Sequence, residues 1–273
     1  MLPDVQRRTP DIKISLTRVG VSDVRKLLRI PTNGERPIVL LADFSCFVDL
    51  PSSQKGTHMS RNLEAINEII EEIVKKPVYE LDGLCEDMVK EILKRHNYAS
   101  RCEVEMKSRL MVMIKTPSGK KEQEFVKLIA RSTAYRNKKP NIEREIGAEI
   151  RGLLLHPHVK GGPSPGCGQR AKASLTIQVP GGQLVKIDDI VDILQAAMSS
   201  RAYGFLTEDE EKQVLDSACL SPKSASDVVD DILKEAKKRF AYLNGMKATA
   251  KCTAKESLFT YDSYAERQTV IVP

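Results

Sequence analysis

Apolar and polar positions change period several times along the chain, and each change marks an expected element. Residues 11–19, 23–30 and 37–49 read as β-rich segments, the last carrying the run Ile38-Val39-Leu40-Leu41. From Ser60 the apolar residues Leu63, Ile66, Ile70, Ile73 and Val74 recur at helical spacing. Leu81, Leu84, Met88 and Ile92 repeat that spacing up to His96, so two amphipathic helices are predicted. Strict alternation follows: Cys102, Val104, Met106, Leu110, Val112 and Ile114 stand between mostly charged residues, the pattern of a half-buried antiparallel strand. A further strand is expected at about 122–136, after the turn Pro117-Ser118-Gly119.

The polar, proline-containing stretch from Asn137 to Asn141 lies between strand patterns and sets a domain boundary, with modules over 1–138 and 139–273. Strands are then expected at about 143–156 and 170–179, the latter with Ala171, Ala173, Leu175, Ile177 and Val179 on one face. Helices follow near 187–199, 207–219 and 226–240. Alternation returns at Ala248, Ala250, Cys252 and Ala254, and a last apolar strand is expected near 268–272. A strand pair, helices and a strand pair thus occur twice. The pattern predicts an α+β protein of two similarly built modules, each an antiparallel sheet with helices on one face.

Composition narrows the class. A length of 273 residues suits two modules at roughly 150 residues per domain. With 41% hydrophobic and 29% charged residues, the chain can build cores, and wholesale disorder is excluded. The longest apolar runs, Ile38 to Ala42 and Leu110 to Ile114, fall far short of the ~20 residues that cross a bilayer. The first eight residues hold no apolar stretch resembling a secretion signal, so a cytoplasmic protein without a membrane span is expected. Six cysteines without CxxC spacing indicate neither a disulfide framework nor a zinc ribbon. The net charge of +6 suits anionic ligands but is spread over short clusters such as Lys138-Lys139 and Lys237-Lys238-Arg239. Aromatic residues are 5% and tryptophan is missing, which argues against nucleic acid as a partner.

Unusual chemistry concentrates around the loop Lys160 to Gly166. His156-Pro157-His158 precedes it and Cys167-Gly168-Gln169-Arg170 follows, placing two of the four histidines and one cysteine within twelve residues. His-x-His at a strand end points both imidazoles to one face, which suits a metal; solvent or capping contacts are the alternative. Lys55, His58 and Arg61 lie in a glycine-containing loop before a helix, where cations and backbone N–H groups can hold phosphate. Thr207 with Glu210, and Ser224 with Asp227, have the spacing of helix-capping pairs. His96, at a helix end, reads as a favourably placed charge.

Several segments together resemble the archaeal GTP cyclohydrolases of the methanopterin pathway (MptA) and their bacterial type IB relatives. They are Asp4-Val5-Gln6, Ile14 to Val21, Phe47-Val48-Asp49-Leu50-Pro51, Lys55-Gly56-Thr57-His58-Met59-Ser60-Arg61-Asn62 and Lys76 to Glu80. Ile146-Gly147-Ala148-Glu149, Glu256-Ser257 and Tyr264-Ala265-Glu266-Arg267 complete the set, which runs almost end to end. The resemblance implies a tandem tunnelling fold, assembly into dimers or higher homo-oligomers, and active sites at interfaces. It also implies opening of the GTP imidazole ring at C8 with release of formate, giving a dihydroneopterin cyclic phosphate. One Fe(2+), or Zn(2+), per subunit is expected.

The chain departs from the family pattern at several points. His156-Pro157-His158 stands where Cys-Pro-Cys is expected, and Cys167-Gly168-Gln169-Arg170 where His-Asn-Gln-Arg is expected, so thiol and imidazole have traded places. Either donor binds iron or zinc. Glu256-Ser257-Leu258-Phe259-Thr260-Tyr261 replaces a segment with two imidazoles, and Ser226, beside Asp227, replaces a purine-anchoring glutamate. Glu211 aligns with a family metal-site glutamate, a structural acid at a helix start being the alternative, so the resemblance implies His156, His158, Cys167 and Glu211 as metal ligands, with His156, His158 and His58 in catalytic roles. Lys55, Arg61, Gln169, Arg170 and Asp227 are expected to contact substrate. A degenerate member that binds a nucleotide or pterin without turnover is the competing expectation.

Overall fold

The computed structural model describes residues 13–30, 38–75, 81–138, 141–155, 168–256 and 259–272. In chain order these form β1 (Leu16–Ile30), β2 (Ile38–Leu50), α1 (Met59–Lys75), α2 (Leu81–Arg95), β3 (Arg101–Lys115) and β4 (Lys121–Tyr135). Then follow β5 (Ile142–Leu155), β6 (Gly168–Gln178), α3 (Ile187–Ala197), β7 (Ser200–Arg201), α4 (Glu208–Cys219), α5 (Ala225–Arg239), β8 (Lys247–Lys255) and β9 (Asp262–Val270). The α+β class expected from the sequence is observed. The chain divides into two compact units, Met1–Ser108 with Ile129–Ile146, and Arg109–Leu128 with Gly147–Pro273.

In the first unit the strand order is β1-β2-β3-β4-β5. The two segments expected at 11–19 and 23–30 are joined in the single strand β1. Its pairing with β2 shifts register between Val21 and Val24, where Asp23 takes φ 56°. A bulge of this kind inserts a residue without ending the ladder, and because side chains alternate with period two it breaks the apolar alternation read along the chain. Gly20 sits where β2 leaves no room for a side chain on β1, since a Cβ there would lie 1.9 Å from the Cys46 carbonyl oxygen. Leu40, Ala42, Phe44, Cys46 and Val48 of β2 form a buried row, and Ala65 and Ile66 of α1 and Leu84, Met88 and Ile92 of α2 are buried as well. Each large member of such a row contributes about 1.5–3 kcal/mol through burial.

In the second unit β6 pairs with β8, β8 with β9, and the short β7 with β5. Ala171, Ala173, Leu175 and Ile177 of β6 and Ala248, Ala250, Cys252 and Ala254 of β8 are buried. The small side chains of β8 admit α5, whose Val228, Ile232 and Ala236 are also buried. By the same alternation, Arg170 and Lys172 on β6 and Thr253 and Lys255 on β8 turn to the opposite face, with Lys172 and Thr253 directly paired. The last strand begins at Asp262 rather than near 268. As the edge strand of this pairing it is mostly exposed, so its polar sequence carries no apolar alternation. Lys237, Lys238 and Arg239 form the last turn of α5, where positive charge complements the helix dipole. No helix among the described residues is long and apolar enough to cross a membrane.

Candidate active site

The outward face of β5, β6 and β8 in the second unit, together with β7 and α4, lines a cavity of about 800 Å3. That volume lies within the range of small-molecule sites. Its lining carries Arg151 on β5, Arg170 and Lys172 on β6, Arg201 on β7 and Lys255 on β8, against the carboxylates of Glu211 and Asp262. Arg151, Arg170, Lys172 and Lys255 form no ion pair with another described residue. Four cations on adjacent strands, none ion-paired with a described residue, repel one another and attract an anion. Leu153, Leu206, Val214 and Leu215 add an apolar wall. Arg201 lies near Glu124, whose carboxyl is raised by burial, with Arg201 opposing that rise and Glu122 adding to it.

Glu211 reaches this cavity because of how α4 begins. Thr207 and Glu210 form the expected capping box: Glu210 Oε2 accepts from the Thr207 backbone N–H at 2.9 Å, and the Thr207 hydroxyl accepts from the Glu210 N–H at 3.4 Å. Glu210 also accepts from the Ser118 hydroxyl and backbone N–H on the β3–β4 turn. Hydrogen bonds from Ser118 and Thr207 hold the Glu210 carboxyl down at about 2. One residue on, about 100° around the helix, Glu211 points its carboxylate into the cavity. The neighbouring acids thus divide the work: Glu210 fastens the helix and Glu211 is left for the site.

Of the residues expected from the sequence, the structure brings Arg170 and Glu211 together. Gln169 lies on the opposite face of β6, is buried, and donates to Glu256, which also accepts from the Ser263 hydroxyl. Gln169 therefore braces the β8–β9 turn. Asp227 caps α5, its Oδ2 accepting from the Ser224 backbone N–H at 2.8 Å and the Ser224 hydroxyl at 2.7 Å. These bonds hold its carboxyl below the usual value. His156, His158 and Cys167 lie outside the described residues, and among the described residues no three histidine, cysteine or acidic side chains gather as a metal site. Arg151, Lys172, Arg201, Lys255 and Asp262 were not anticipated. The signal available for Lys172 and Lys255 was a polar or charged residue at every outward position of an alternating strand.

Lys55, His58 and Arg61 belong to the first unit. His58 and Arg61 line a cavity of about 410 Å3 with Gln54, Arg95 and Tyr98, whereas Lys55 is exposed on the preceding loop. Arg61 donates to the Arg95 carbonyl at 3.0 Å, and Arg95 pairs with Glu64, Glu68 and Glu91. Beneath them His96 is fully buried, which corrects its reading as a charged helix end. Burial, reinforced by the nearby Arg61, His58 and Arg95, lowers its pKa to about 4, so the ring is neutral at pH 7. Its Nε2 lies 2.7 Å from Asn62 Oδ1 and its Nδ1 2.7 Å from the Tyr98 hydroxyl. With Oδ1 accepting from Nε2–H, the Tyr98 hydroxyl donates to Nδ1.

Solved structures sharing this fold define the class first. A uricase from Arthrobacter globiformis is similar with a TM-score of 0.54 at 6% identity, over 93% of each chain. A hyperthermostable urate oxidase mutant from Bacillus sp. TB-90 gives 0.51 at 11%, over 93% of this chain and 99% of that one. The fold is thus the tunnelling fold of uricase-type proteins. Within it, the family model described as type I GTP cyclohydrolase folE2 matches residues 2–265, and the chain belongs to that family. GTP cyclohydrolase MptA of Methanosarcina mazei is 35% identical over 97% of this chain and 94% of its own length. The MptA of Methanothermobacter thermautotrophicus is 34% identical over 97% and 92%.

Proposed function

We propose that the chain is a GTP cyclohydrolase of the MptA type, opening the imidazole ring of GTP by hydrolysis and releasing formate to give 7,8-dihydroneopterin 2′,3′-cyclic phosphate. Family membership and the relatives' name support the reaction. The observation in this chain that carries it is the meeting of Arg170, three further cations without described counter-ions, and Glu211 in one cavity. Arg170 with Arg151 and Lys172 binds the triphosphate, for which charge-assisted hydrogen bonds are the strong contacts.

The donor chemistry fits one Fe(2+) or Zn(2+) per subunit. Glu211 offers a carboxylate in the cavity, and β5 and β6, which line it, end at Leu155 and begin at Gly168 on either side of the segment carrying His156, His158 and Cys167. Carboxylate, imidazole and thiolate all bind these ions. A divalent ion held by those four residues supplies hydroxide near neutral pH by lowering the pKa of bound water. The protein is proposed to act in the cytoplasm as a homodimer or higher homo-oligomer.

The test is anaerobic purification, addition of ferrous iron and GTP, and measurement of formate and the neopterin cyclic phosphate. Turnover abolished by His156→Ala and Cys167→Ala supports the ligand set, and undiminished rates in both would overturn it. Phe259 and Tyr261, standing where the family pattern carries imidazoles, favour a second reading, a protein that binds GTP without converting it. Saturable GTP binding with no formate would establish that reading in place of the first.

A further inference from the structure

The β8–β9 turn carries features that neither the fold nor a cationic phosphate site requires. Its feet are the cross-strand partners Lys255 and Asp262, and both line the cavity of the second unit. Although opposite in charge and paired through their backbones, these two form no ion pair with each other. Glu256, just above, is held by Gln169 and Ser263, so the base of the turn is fixed. Phe259 and Tyr261 stack with ring centroids 5.1 Å apart and planes 12° from parallel. The two residues are 56% and 60% exposed, so large apolar faces stand in water on the turn whose feet line the cavity. Tyr261 is one residue from Asp262, about 3.8 Å along the backbone from the cavity lining.

Parallel aromatic rings with exposed outer faces accept a further flat ring, because offset stacking of π systems is favourable and removes apolar surface from water. An ionised carboxylate accepts hydrogen bonds and cannot donate, and an ammonium group donates and cannot accept. Asp262 and Lys255 therefore complement an edge that presents N–H donors beside a carbonyl oxygen. The Watson–Crick edge of guanine has that order: two N–H donors next to O6. Adenine offers one donor and a ring-nitrogen acceptor, which leaves the carboxylate and the ammonium poorly matched.

We propose that the β8–β9 turn is the base subsite of the cavity: Phe259 and Tyr261 stack on the face of a guanine, and Asp262 with Lys255 reads its edge. The subsite rests on the reading of the cavity as a GTP site and assigns the residues that choose the nucleotide. It makes face recognition the larger part of base affinity and edge recognition the part that separates GTP from ATP.

The chain has no tryptophan, so Phe259→Trp installs a single indole in the full-length protein. GTP is expected to quench that indole and inorganic tripolyphosphate to leave it unchanged. In calorimetric titrations Phe259→Ala and Tyr261→Ala are each expected to weaken GTP on the order of tenfold while tripolyphosphate binds as before. Asp262→Ala is expected to weaken GTP by a similar factor and ATP by less than twofold, narrowing the preference between them. Phe259→Tyr restores GTP affinity if stacking is the cause. GTP affinity unchanged in both alanine variants overturns the subsite, as does a parallel loss of tripolyphosphate. A change of oligomer size in Phe259→Ala with GTP affinity intact also overturns it, making the rings an interface. Loss of GTP and tripolyphosphate in Arg170→Ala beside normal GTP binding in Phe259→Ala would sink the base subsite while leaving the phosphate site standing.

Discussion

Both units pack helices on an antiparallel sheet and both place cations in a cavity, yet they use those cations in opposite ways. In the first unit Arg61 is committed to a backbone carbonyl and Arg95 to three glutamates, above a buried neutral imidazole. In the second, Arg151, Arg170, Lys172 and Lys255 share one face with no described ion-pair partner. A cation bonded to its own protein contributes structure; one whose neighbours are also cations stores repulsion that an anionic ligand relieves. Counting basic residues in a cavity therefore says less than asking which are already paired.

The comparison can be broken most directly through the packing of the first unit. Gly20→Ala forces a Cβ onto the Cys46 carbonyl oxygen, and a loss of about 3 kcal/mol in denaturant-unfolding stability is expected. GTP affinity of the folded fraction should stay unchanged, and a parallel fall would show that the units are not independent in this respect. Arg170→Ala is the counterpart in the second unit. Loss of a charge-assisted contact of about 2 kcal/mol should weaken GTP on the order of thirtyfold with the melting temperature held or raised, since a repelling charge is gone.

A pH series sharpens the contrast. The folded pKa of His96, about 4, lies below its ordinary 6.5, so the unfolded chain binds the extra proton between those values. Stability from this group is complete above pH 6.5 and declines as pH falls toward 4, by about 3 kcal/mol. Equilibrium unfolding at several pH values should show that slope, and His96→Gln should flatten it. Arg61→Ala should cost about 1 kcal/mol of stability by removing the donor to the Arg95 carbonyl. A rise in the KM for GTP equal to that of Arg170→Ala would instead assign both cavities to one substrate. The smallest effect is expected from Asp227→Ala, about 1 kcal/mol or less from loss of the α5 capping box, with KM unmoved.

Phe259 and Tyr261 illustrate where pattern reading runs out. Against the family they register as missing imidazoles, a loss, whereas in space they form an exposed stack on the turn whose feet, Lys255 and Asp262, line the cavity. Asp227 shows the reverse. Its spacing from Ser224 was legible as a cap, and the hydrogen bonds of the cap are those observed.

The sequence by itself determined the local periods: the helices, the alternation that puts Arg170 and Lys172 on one face of β6, and the capping boxes that start α4 and α5. These follow from covalent geometry over a few residues, 3.6 per helical turn and two per strand repeat, and need no knowledge of distant chain. Only the tertiary structure decided which of those faces meet. Arg151, Arg170 and Lys255 become neighbours because β5, β6 and β8 pair side by side, a choice made by long-range burial and strand pairing. Likewise, nothing local marks His96 as neutral; its charge is set by burial against Asn62 and Tyr98, neighbours that only folding supplies.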